Sequence, residues 1–441
     1  MKHCDTLILP RWCVPVEPAA DALTGHAVAV ADGRILDVLP AAEAAEKYQP
    51  SVTLERDSHV LIPGLVNAHT HAAMTLFRGI SDVRPLERWL KEAIWPVEKR
   101  WVSPDFVRDG AELAITEMLK GGVTCFADQY FFPEVVAEAA NALNIRAVVG
   151  TPILDFPTPW ANDVAEYLSK AADLVHDPYV DHPLVNTCWA PHSSSALSDD
   201  GFRELRVLAD QLDIPVQIHL HETEAEIAAS IMETGERPFE RLDRLGLVNS
   251  LMLAVHAVHM TDDEVARMAD ANVAIAHCPK SNLKLGSGMA PVSRYLEAGI
   301  RVGLGTDGAA SNNALDLISE MQTAALISRV SGAEPLSAAQ ALTTATLGSA
   351  RAIGLGRQTG SIVAGKWADL TCVDLSTINS QPVHNPVDQL VFASRADQVS
   401  DVWVGGRHVL DAGRLTHINE GNVLERTAEW RERINPIQGT A

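Results

Sequence analysis

Several apolar runs in this chain end on side chains that can bind metals. The run at residues 62–68 leads directly into His69 and His71, and a later run leads into His219 and His221. Because side chains alternate between the two faces of a strand, both histidines of a His-x-His motif point the same way and can bind one ion. Further side chains of this kind are His192, His256 and Asp307. The ordered series predicts the site of a metal-dependent hydrolase.

Three histidines and one aspartate are the predicted metal ligands: His69, His71, His219 and Asp307. Three nitrogens and one oxygen, with a position left for water, suit Zn²⁺ and also Fe²⁺. An N-cap role would account for Asp307 alone, but not for its place in the series. His221 is expected to pack beside the site. The fourth predicted strand, 184–191, contains no lysine that could bridge two ions, so one Zn²⁺ per subunit is predicted.

Acid–base chemistry is assigned to two residues near these ligands. Glu222 follows His221 directly, where a general acid would reach a substrate above the metal. The alternative role for Glu222 is to cap the helix that begins near residue 223. His256 is expected to deprotonate or orient the metal-activated water, with Asp307 as its partner.

The elements that must position these residues alternate between strand-like and helix-like patterns. One helical face carries Val107, Ala111, Ala114 and Met118. Eight such alternations predict an α/β fold, a parallel (β/α)₈ TIM-type barrel, in which catalytic residues lie at the C-terminal ends of the strands. The predicted strands lie near residues 60–68, 123–127, 145–150, 184–190, 215–220, 251–256, 272–276 and 300–305.

The two ends of the chain share a different pattern. Short apolar runs flank the turn sequences Asp32-Gly33 and Gly405-Gly406. These runs predict strands and hairpins, and together they predict a small β-sandwich domain made from both ends. The expected division is therefore 1–58 with 365–441 for the small domain, and 59–364 for the barrel.

Composition limits the partners and the compartment. The formal net charge is −22, from 35 Lys and Arg against 57 Asp and Glu. This charge argues against nucleic acid or an anionic membrane as a partner. Six cysteines show no paired spacing, and the N-terminus lacks a signal-peptide pattern. Reduced cysteines and a cytoplasmic location are therefore expected.

The motifs resemble those of the amidohydrolase superfamily. The chain is most similar to the 5-methylthioadenosine/S-adenosylhomocysteine deaminases, in the branch shared with triazine chlorohydrolases. The resemblance covers nearly the whole length of the chain, and four segments carry it. They are residues 63–71, 74–79 (Met-Thr-Leu-Phe-Arg-Gly), 281–286 (Ser-Asn-Leu-Lys-Leu-Gly) and 305–311 (Gly-Thr-Asp-Gly-Ala-Ala-Ser).

The resemblance implies roles for individual residues. It places the ligands on His69, His71, His219 and Asp307, a ring-protonating glutamate on Glu222 and a catalytic histidine on His256. It implies substrate contacts by His192 to the purine ring, by Trp89 as an aromatic wall, by Glu98 to both ribose hydroxyls, and by Glu222, Asp307 and Ser311.

The reaction that the resemblance implies is hydrolytic deamination of 5′-methylthioadenosine to 5′-methylthioinosine and ammonia, with S-adenosylhomocysteine and adenosine as further substrates. The loop at 151–160 contains no arginine for an amino-acid carboxylate, and its Phe156, Pro157 and Trp160 suit a thioether methyl group. This favours methylthioadenosine, although another subunit of the expected homo-oligomer could supply a cation. A deaminase or chlorohydrolase of a free base or triazine, and a non-catalytic relative, stay open as alternatives.

Overall fold

The structure, a computed structural model, describes residues 1–81, 84–330 and 334–434. No helix within these ranges is both long enough and apolar enough to cross a bilayer. The strands are β1 (Lys2–Cys13), β2 (Leu23–Thr24), β3 (His26–Ala31), β4 (Arg34–Pro40), β5 (Tyr48–Pro63), β6 (Leu65–Thr70), β7 (Val123–Gln129), β8 (Arg146–Pro152), β9 (Val185–Ala190), β10 (Val216–Leu220), β11 (Met252–His256), β12 (Ala274–His277), β13 (Arg301–Leu304), β14 (Leu370–Asp374), β15 (Val399–Val404), β16 (Arg407–Asp411) and β17 (Arg414–Leu415).

Helices cover most of the connections between the strands. They are α1 (Ala41–Lys47), α2 (Leu86–Trp89), α3 (Trp95–Trp101), α4 (Pro104–Lys120), α5 (Pro133–Ala142), α6 (Val164–Ala171), α7 (Asp199–Leu212), α8 (Glu224–Thr234), α9 (Pro238–Arg244), α10 (Asp262–Asp270), α11 (Pro279–Leu285), α12 (Val292–Glu297), α13 (Ala309–Asn312), α14 (Leu317–Ser328), α15 (Ala338–Thr343), α16 (Ser349–Ala352), α17 (Pro386–Phe392) and α18 (Glu420–Ile434). A π-helical stretch, Leu90–Ile94, joins α2 to α3, and two others are Ala172–His176 and Thr344–Gly348.

Eight parallel strands, β6 to β13, pair in sequence order and confirm the predicted barrel. The backbone N–H groups of Thr306 and Asp307 both donate to the carbonyl of His69, which links the end of the last strand to the first. Most positions of these strands are buried on both faces, as expected for a parallel sheet covered by helices. The C-terminal strand ends therefore meet around one opening, where the predicted site residues lie.

The remaining nine strands form a second sheet from both ends of the chain, as predicted. Its order is β17-β16-β15-β14-β5-β1-β3-β4, with β2 paired to β1. The sheet is continuous rather than two separate layers, and it curls: residues of β3, β4, β14 and β15 share one buried cluster with β1 and β5. The hairpin turns at Asp32-Gly33 and Gly405-Gly406 join β3 to β4 and β15 to β16.

The first predicted barrel strand differs from the structure. Residues 60–63 belong to β5 of the end sheet, and the barrel strand β6 begins only at Leu65. Gly64 separates the two strands. This position needs a glycine, because a Cβ there would lie 2.0 Å from the Thr124 hydroxyl oxygen. The expected division at residues 58 and 365 stays a prediction, and residues 435–441 lie outside the described part of the chain.

A buried ion pair joins the barrel to the end sheet. Arg146 at the start of β8 makes two bonds to the carboxylate of Asp369, at 2.9 and 3.1 Å, and both side chains have no solvent exposure. The backbone N–H of Gly405 also donates to Asp369. These bonds satisfy the two charges at the contact between the sheets.

Candidate active site

The four predicted ligand side chains converge at the C-terminal end of the barrel. The ligand atoms of His69, His71, His219 and Asp307 all lie within 4.8 Å of one another. The Asp307 Oδ1 atom is 3.2 Å from His71 Nε2 and 3.5 Å from His69 Nε2. The Nε2 atoms of His69 and His219 are 3.2 Å apart.

The second nitrogen of two of these rings is held by the backbone. His71 Nδ1 donates to the carbonyl of Gln129 at 2.5 Å, and His219 Nδ1 donates to the carbonyl of His192 at 2.6 Å. Because Nδ1 carries the hydrogen, the Nε2 lone pairs of both rings point into the cluster. Converging lone pairs and one carboxylate oxygen fit a divalent cation such as Zn²⁺ or Fe²⁺.

The Asp307 carboxylate is oriented by hydroxyl donors. Ser281 and Ser311 donate to Oδ2 at 2.6 and 2.7 Å, and the backbone N–H of Gly308 donates to Oδ1 at 2.8 Å. Burial alone would raise the pKa of Asp307, but the adjacent His69 and His71 rings hold that pKa well below its usual range. The N-cap of the following helix, α13, is Gly308 rather than Asp307.

Glu222 and His256 lie beside this cluster and face each other. Glu222 Oε2 is 3.6 Å from His256 Nε2, and Ser287 donates to Glu222 Oε1 at 3.0 Å. The Oδ1 atom of Asn282 accepts from His256 Nδ1 at 2.8 Å, which leaves Nε2 free to act as a base. Burial raises the pKa of Glu222, so this side chain retains a proton at higher pH than an exposed glutamate does.

The contacts of His256 and Glu222 bear on two expectations from the sequence, the pairing of His256 with Asp307 and the capping of α8 by Glu222. His256 bonds to Asn282, and no hydrogen bond joins it to Asp307 among the described residues. Thr223, rather than Glu222, is the N-cap of α8, because its hydroxyl accepts the N–H of Glu226. The capping alternative for Glu222 is therefore wrong.

The His221 ring is turned away from the metal cluster. Its Nε2 atom accepts the backbone N–H of Phe239 at 3.1 Å, and its Nδ1 atom lies 3.6 Å from the carboxylate of Glu264. The structure thus places His221 as a packing group, in agreement with the expectation from sequence.

A cavity of about 920 Å³ opens above the cluster. The wall from α2 to α3 contributes Trp89 and Glu98, which the π-helical stretch Leu90–Ile94 brings to the same side. A π-helical insertion of this kind is frequent at functional sites. The predicted site residues that line the cavity are His71, Trp89, Glu98, His192, His219, Glu222, His256, Asp307 and Ser311.

Burial and nearby histidines lower the pKa of His192 to about 4. The ring is therefore neutral at pH 7, with one donor and one acceptor nitrogen, and it lines the cavity. Its own backbone carbonyl holds His219, so His192 connects the ligand cluster to the cavity wall.

Tyr130 is a cavity residue that the sequence did not single out. Its hydroxyl donates to Glu98 Oε1 at 2.8 Å, and its side chain is 6% exposed. The available signal was its position, because Tyr130 follows β7 directly. Residues at this end of a barrel strand face the opening.

The loop after β8 differs in part from the expectation. Phe156 lines the cavity, but Pro157 and Trp160 are absent from its wall. Trp160 is 2% exposed, donates from its indole to Glu134 and packs against Tyr167. The prediction that Trp160 forms part of the substrate pocket is therefore wrong, because the loop folds this ring into the barrel's helical layer.

Two cations line the cavity within the described part of the chain, Arg241 and Lys91. The Arg241 guanidinium bonds to Asp199 and to the carbonyls of Ser194 and Leu197, so its nitrogens are engaged in holding the wall. Lys91 lies at the rim, where its Nζ is 3.4 Å from Glu87.

Comparison with known proteins gives a consistent result. Residues 60–409 match the amidohydrolase family. A 5-methylthioadenosine/S-adenosylhomocysteine deaminase of Teredinibacter turnerae is 43% identical over 425 residues, which cover 96% of each chain. A 5′-deoxyadenosine deaminase of Methanopyrus kandleri is 37% identical over 408 residues, which cover 91% of this chain and 93% of that protein.

A solved structure is also similar over its full length. An adenosine deaminase from Xanthomonas campestris with bound zinc is 46% identical, with a TM-score of 0.97 and 99% of both chains covered. The names of these three relatives share an adenosine moiety and differ at its 5′ position.

Proposed function

Because this chain belongs to the amidohydrolase family, we propose that it hydrolytically deaminates an adenine nucleoside, with 5′-methylthioadenosine as the preferred substrate. The products are then 5′-methylthioinosine and ammonia. The observation that carries the proposal is the position of Glu222 and His256, which face each other at 3.6 Å beside three histidines and an aspartate in one cavity.

His69, His71, His219 and Asp307 would hold one Zn²⁺ per subunit. When bound, the ion lowers the pKa of a coordinated water and so supplies a nucleophile at neutral pH. His256 Nε2 accepts a proton from the attacking water, since its Nδ1–H is already donated to Asn282.

Glu222 carries the proton that the purine ring needs. Burial raises the pKa of its carboxyl group, which favours the protonated form, and Ser287 fixes its orientation. Protonation of a ring nitrogen lets C6 accept the water oxygen and become tetrahedral. The proton taken up by His256 then moves to the amino group, which leaves as ammonia, and the C6 hydroxyl returns its proton to Glu222, so one water is consumed for each ammonia formed.

The cavity wall supports a nucleoside with a small, neutral 5′ substituent. Phe156 offers apolar surface, and the Arg241 nitrogens are already engaged. Glu98 offers a carboxylate to a ribose diol, since an ionised carboxylate accepts several hydrogen bonds. A free base or a triazine has no such diol.

The experiment is ammonia release by zinc-loaded enzyme from 5′-methylthioadenosine, S-adenosylhomocysteine, adenosine, guanine and cytosine. The highest kcat/KM is expected for 5′-methylthioadenosine, and Glu98→Ala should raise the KM for nucleosides. Activity on free bases alone, with an unchanged KM in Glu98→Ala, would contradict the proposal and support the alternative of a free-base or triazine hydrolase. The proposal also includes one zinc ion per subunit, which metal analysis tests, and a homo-oligomer, which light scattering tests. It further includes a cytoplasmic location, which cell fractionation tests.

A further inference from the structure

We propose that Tyr130 is a positioning residue that orients the Glu98 carboxylate toward the substrate ribose and thereby makes the enzyme selective for ribonucleosides over their dideoxy analogues. This inference rests on the proposed function, because it concerns the same cavity and the same class of substrate. It adds Tyr130 to the substrate-binding residues of the proposed function and gives a physical source for the selectivity toward the sugar.

The bond between the two side chains joins different elements of the wall. Glu98 lies in α3, and Tyr130 follows the barrel strand β7. The phenol hydroxyl donates to Glu98 Oε1 at 2.8 Å. Among the described residues, no other side chain makes a hydrogen bond to this carboxylate. The orientation of Glu98 therefore depends on Tyr130.

Tyr130 is fixed to the strand end that also holds the metal cluster. The preceding residue, Gln129, accepts His71 Nδ1 through its carbonyl, and the Asp128 carboxylate accepts the backbone N–H of Ala72 at 2.6 Å. Consequently the distance from Glu98 to the ligand cluster is set through two consecutive residues, Gln129 at the end of β7 and Tyr130 directly after it. Without the phenol bond, Glu98 is positioned only by the short helix α3 and the π-helical stretch before it.

The bond leaves enough acceptors for a cis-diol. An ionised carboxylate has about four lone-pair sites, and Tyr130 uses one of them on Oε1. Oε2 and the remaining site of Oε1 are left for two hydroxyls. Tyr130 also lines the cavity, and its phenol oxygen retains lone pairs of its own. The pair therefore presents a fixed row of acceptors to a ribose.

The test compares two substrates in four proteins. The proteins are the wild type, Tyr130→Phe, Glu98→Ala and the double variant. The substrates are 5′-methylthioadenosine and its 2′,3′-dideoxy analogue. For the ribonucleoside, Tyr130→Phe should raise KM about tenfold, the usual effect of losing one hydrogen bond to a charged group. Its kcat should change by less than about threefold, since neither side chain exchanges a proton with the purine ring or the attacking water.

For the dideoxy analogue, Tyr130→Phe should leave KM unchanged, because no hydroxyl needs the carboxylate. In the Glu98→Ala background, Tyr130→Phe should add no further change for the ribonucleoside. The matched control is Tyr48→Phe, which removes a similar phenol–carboxylate bond, 3.1 Å to Asp37, in the end sheet. Tyr48→Phe should change no kinetic constant.

The outcomes separate the inference from the proposed function. Equal changes in KM for both substrates, or a large additional effect in the double variant, would show a general structural role and overturn the inference. A large effect of Glu98→Ala with no effect of Tyr130→Phe would also overturn it while the nucleoside function stands. If Glu98→Ala leaves the KM for nucleosides unchanged, Glu98 does not bind the ribose and the inference fails, whereas activity on free bases alone would overturn the proposed function.

Discussion

The substitution Glu222→Gln gives a direct test of the acid–base chemistry. An amide has the shape of the carboxyl group and can still accept the Ser287 hydroxyl bond through its carbonyl. It cannot deliver a proton to a purine ring. We therefore expect a folded protein with the same zinc content and a greatly lowered kcat.

The magnitude follows from the burial of Glu222. A positioned general acid contributes about 10²–10⁴-fold to a rate. The side chain is buried, with 6% of the residue exposed, so bulk water cannot easily replace it as the acid. We expect a loss in the upper part of that range, about 10³–10⁴-fold, which corresponds to ~4–5.5 kcal/mol of transition-state stabilisation.

The assay is steady-state deamination at saturating 5′-methylthioadenosine, which gives kcat, with zinc measured on the same sample. Glu224→Gln is the matched control, because Glu224 is an exposed residue two positions further along the chain, in α8, and should have no effect. A kcat within about tenfold of the wild type, with zinc retained, would refute the role of Glu222 as the acid.

Three other predictions concern the metal, the contact between the sheets and acid stability. His219→Ala should lower zinc affinity by more than about a hundredfold, as measured by competition with a chelator. A loss of about a hundredfold is the most that removal of a group hydrogen-bonded to a ligand causes, and His219 is a predicted ligand itself. Arg146→Ala should destabilise the fold by about 3–5 kcal/mol in urea unfolding, because it leaves the buried Asp369 charge unpaired. The double variant Arg146→Met with Asp369→Leu removes both charges and should lose much less stability. Equal losses in the two proteins would contradict this account. Burial alone would raise the pKa of Asp401, but hydrogen bonds from Arg56 hold it below its usual range. The contribution of the ionised Asp401 to the free energy of unfolding is therefore complete above the unfolded pKa of about 3.9 and is lost as the pH falls further. The stability difference between the wild type and Asp401→Asn should accordingly shrink between pH 7 and pH 3. A difference that stays constant over this range would contradict the prediction.

Much of the barrel could be predicted because its signals are local. A buried parallel strand such as β11 is a short apolar run, and the helix α4 shows a regular apolar face that ends at Gly121. The pairing of β1 with β5 has no such signal. These strands are parallel, although β2, β3 and β4 lie between them in sequence, so their register depends on contacts between distant residues.

The ligand cluster could be predicted for a related reason. His69 and His219 are fixed by strand geometry, and Asp307 follows a strand after a short turn. The groups that orient them could not be predicted, because Asn282 and Ser287 belong to segments that approach the site only in the folded chain. The sequence thus identified the reacting groups better than the donors and acceptors around them.

Two aromatic residues show where this limit lies. Tyr130 follows β7 without an intervening residue, so the barrel fixes its direction and brings it to Glu98. Trp160 lies eight residues beyond the end of β8, and the loop between them turns its ring into the helical layer. Residue type was therefore a poor guide to the cavity wall, and distance from the strand end was a better one. By this criterion the purine contact predicted for His192, two residues beyond β9, is a stronger prediction than the methyl-group contact predicted for Phe156, which lies four residues beyond β8.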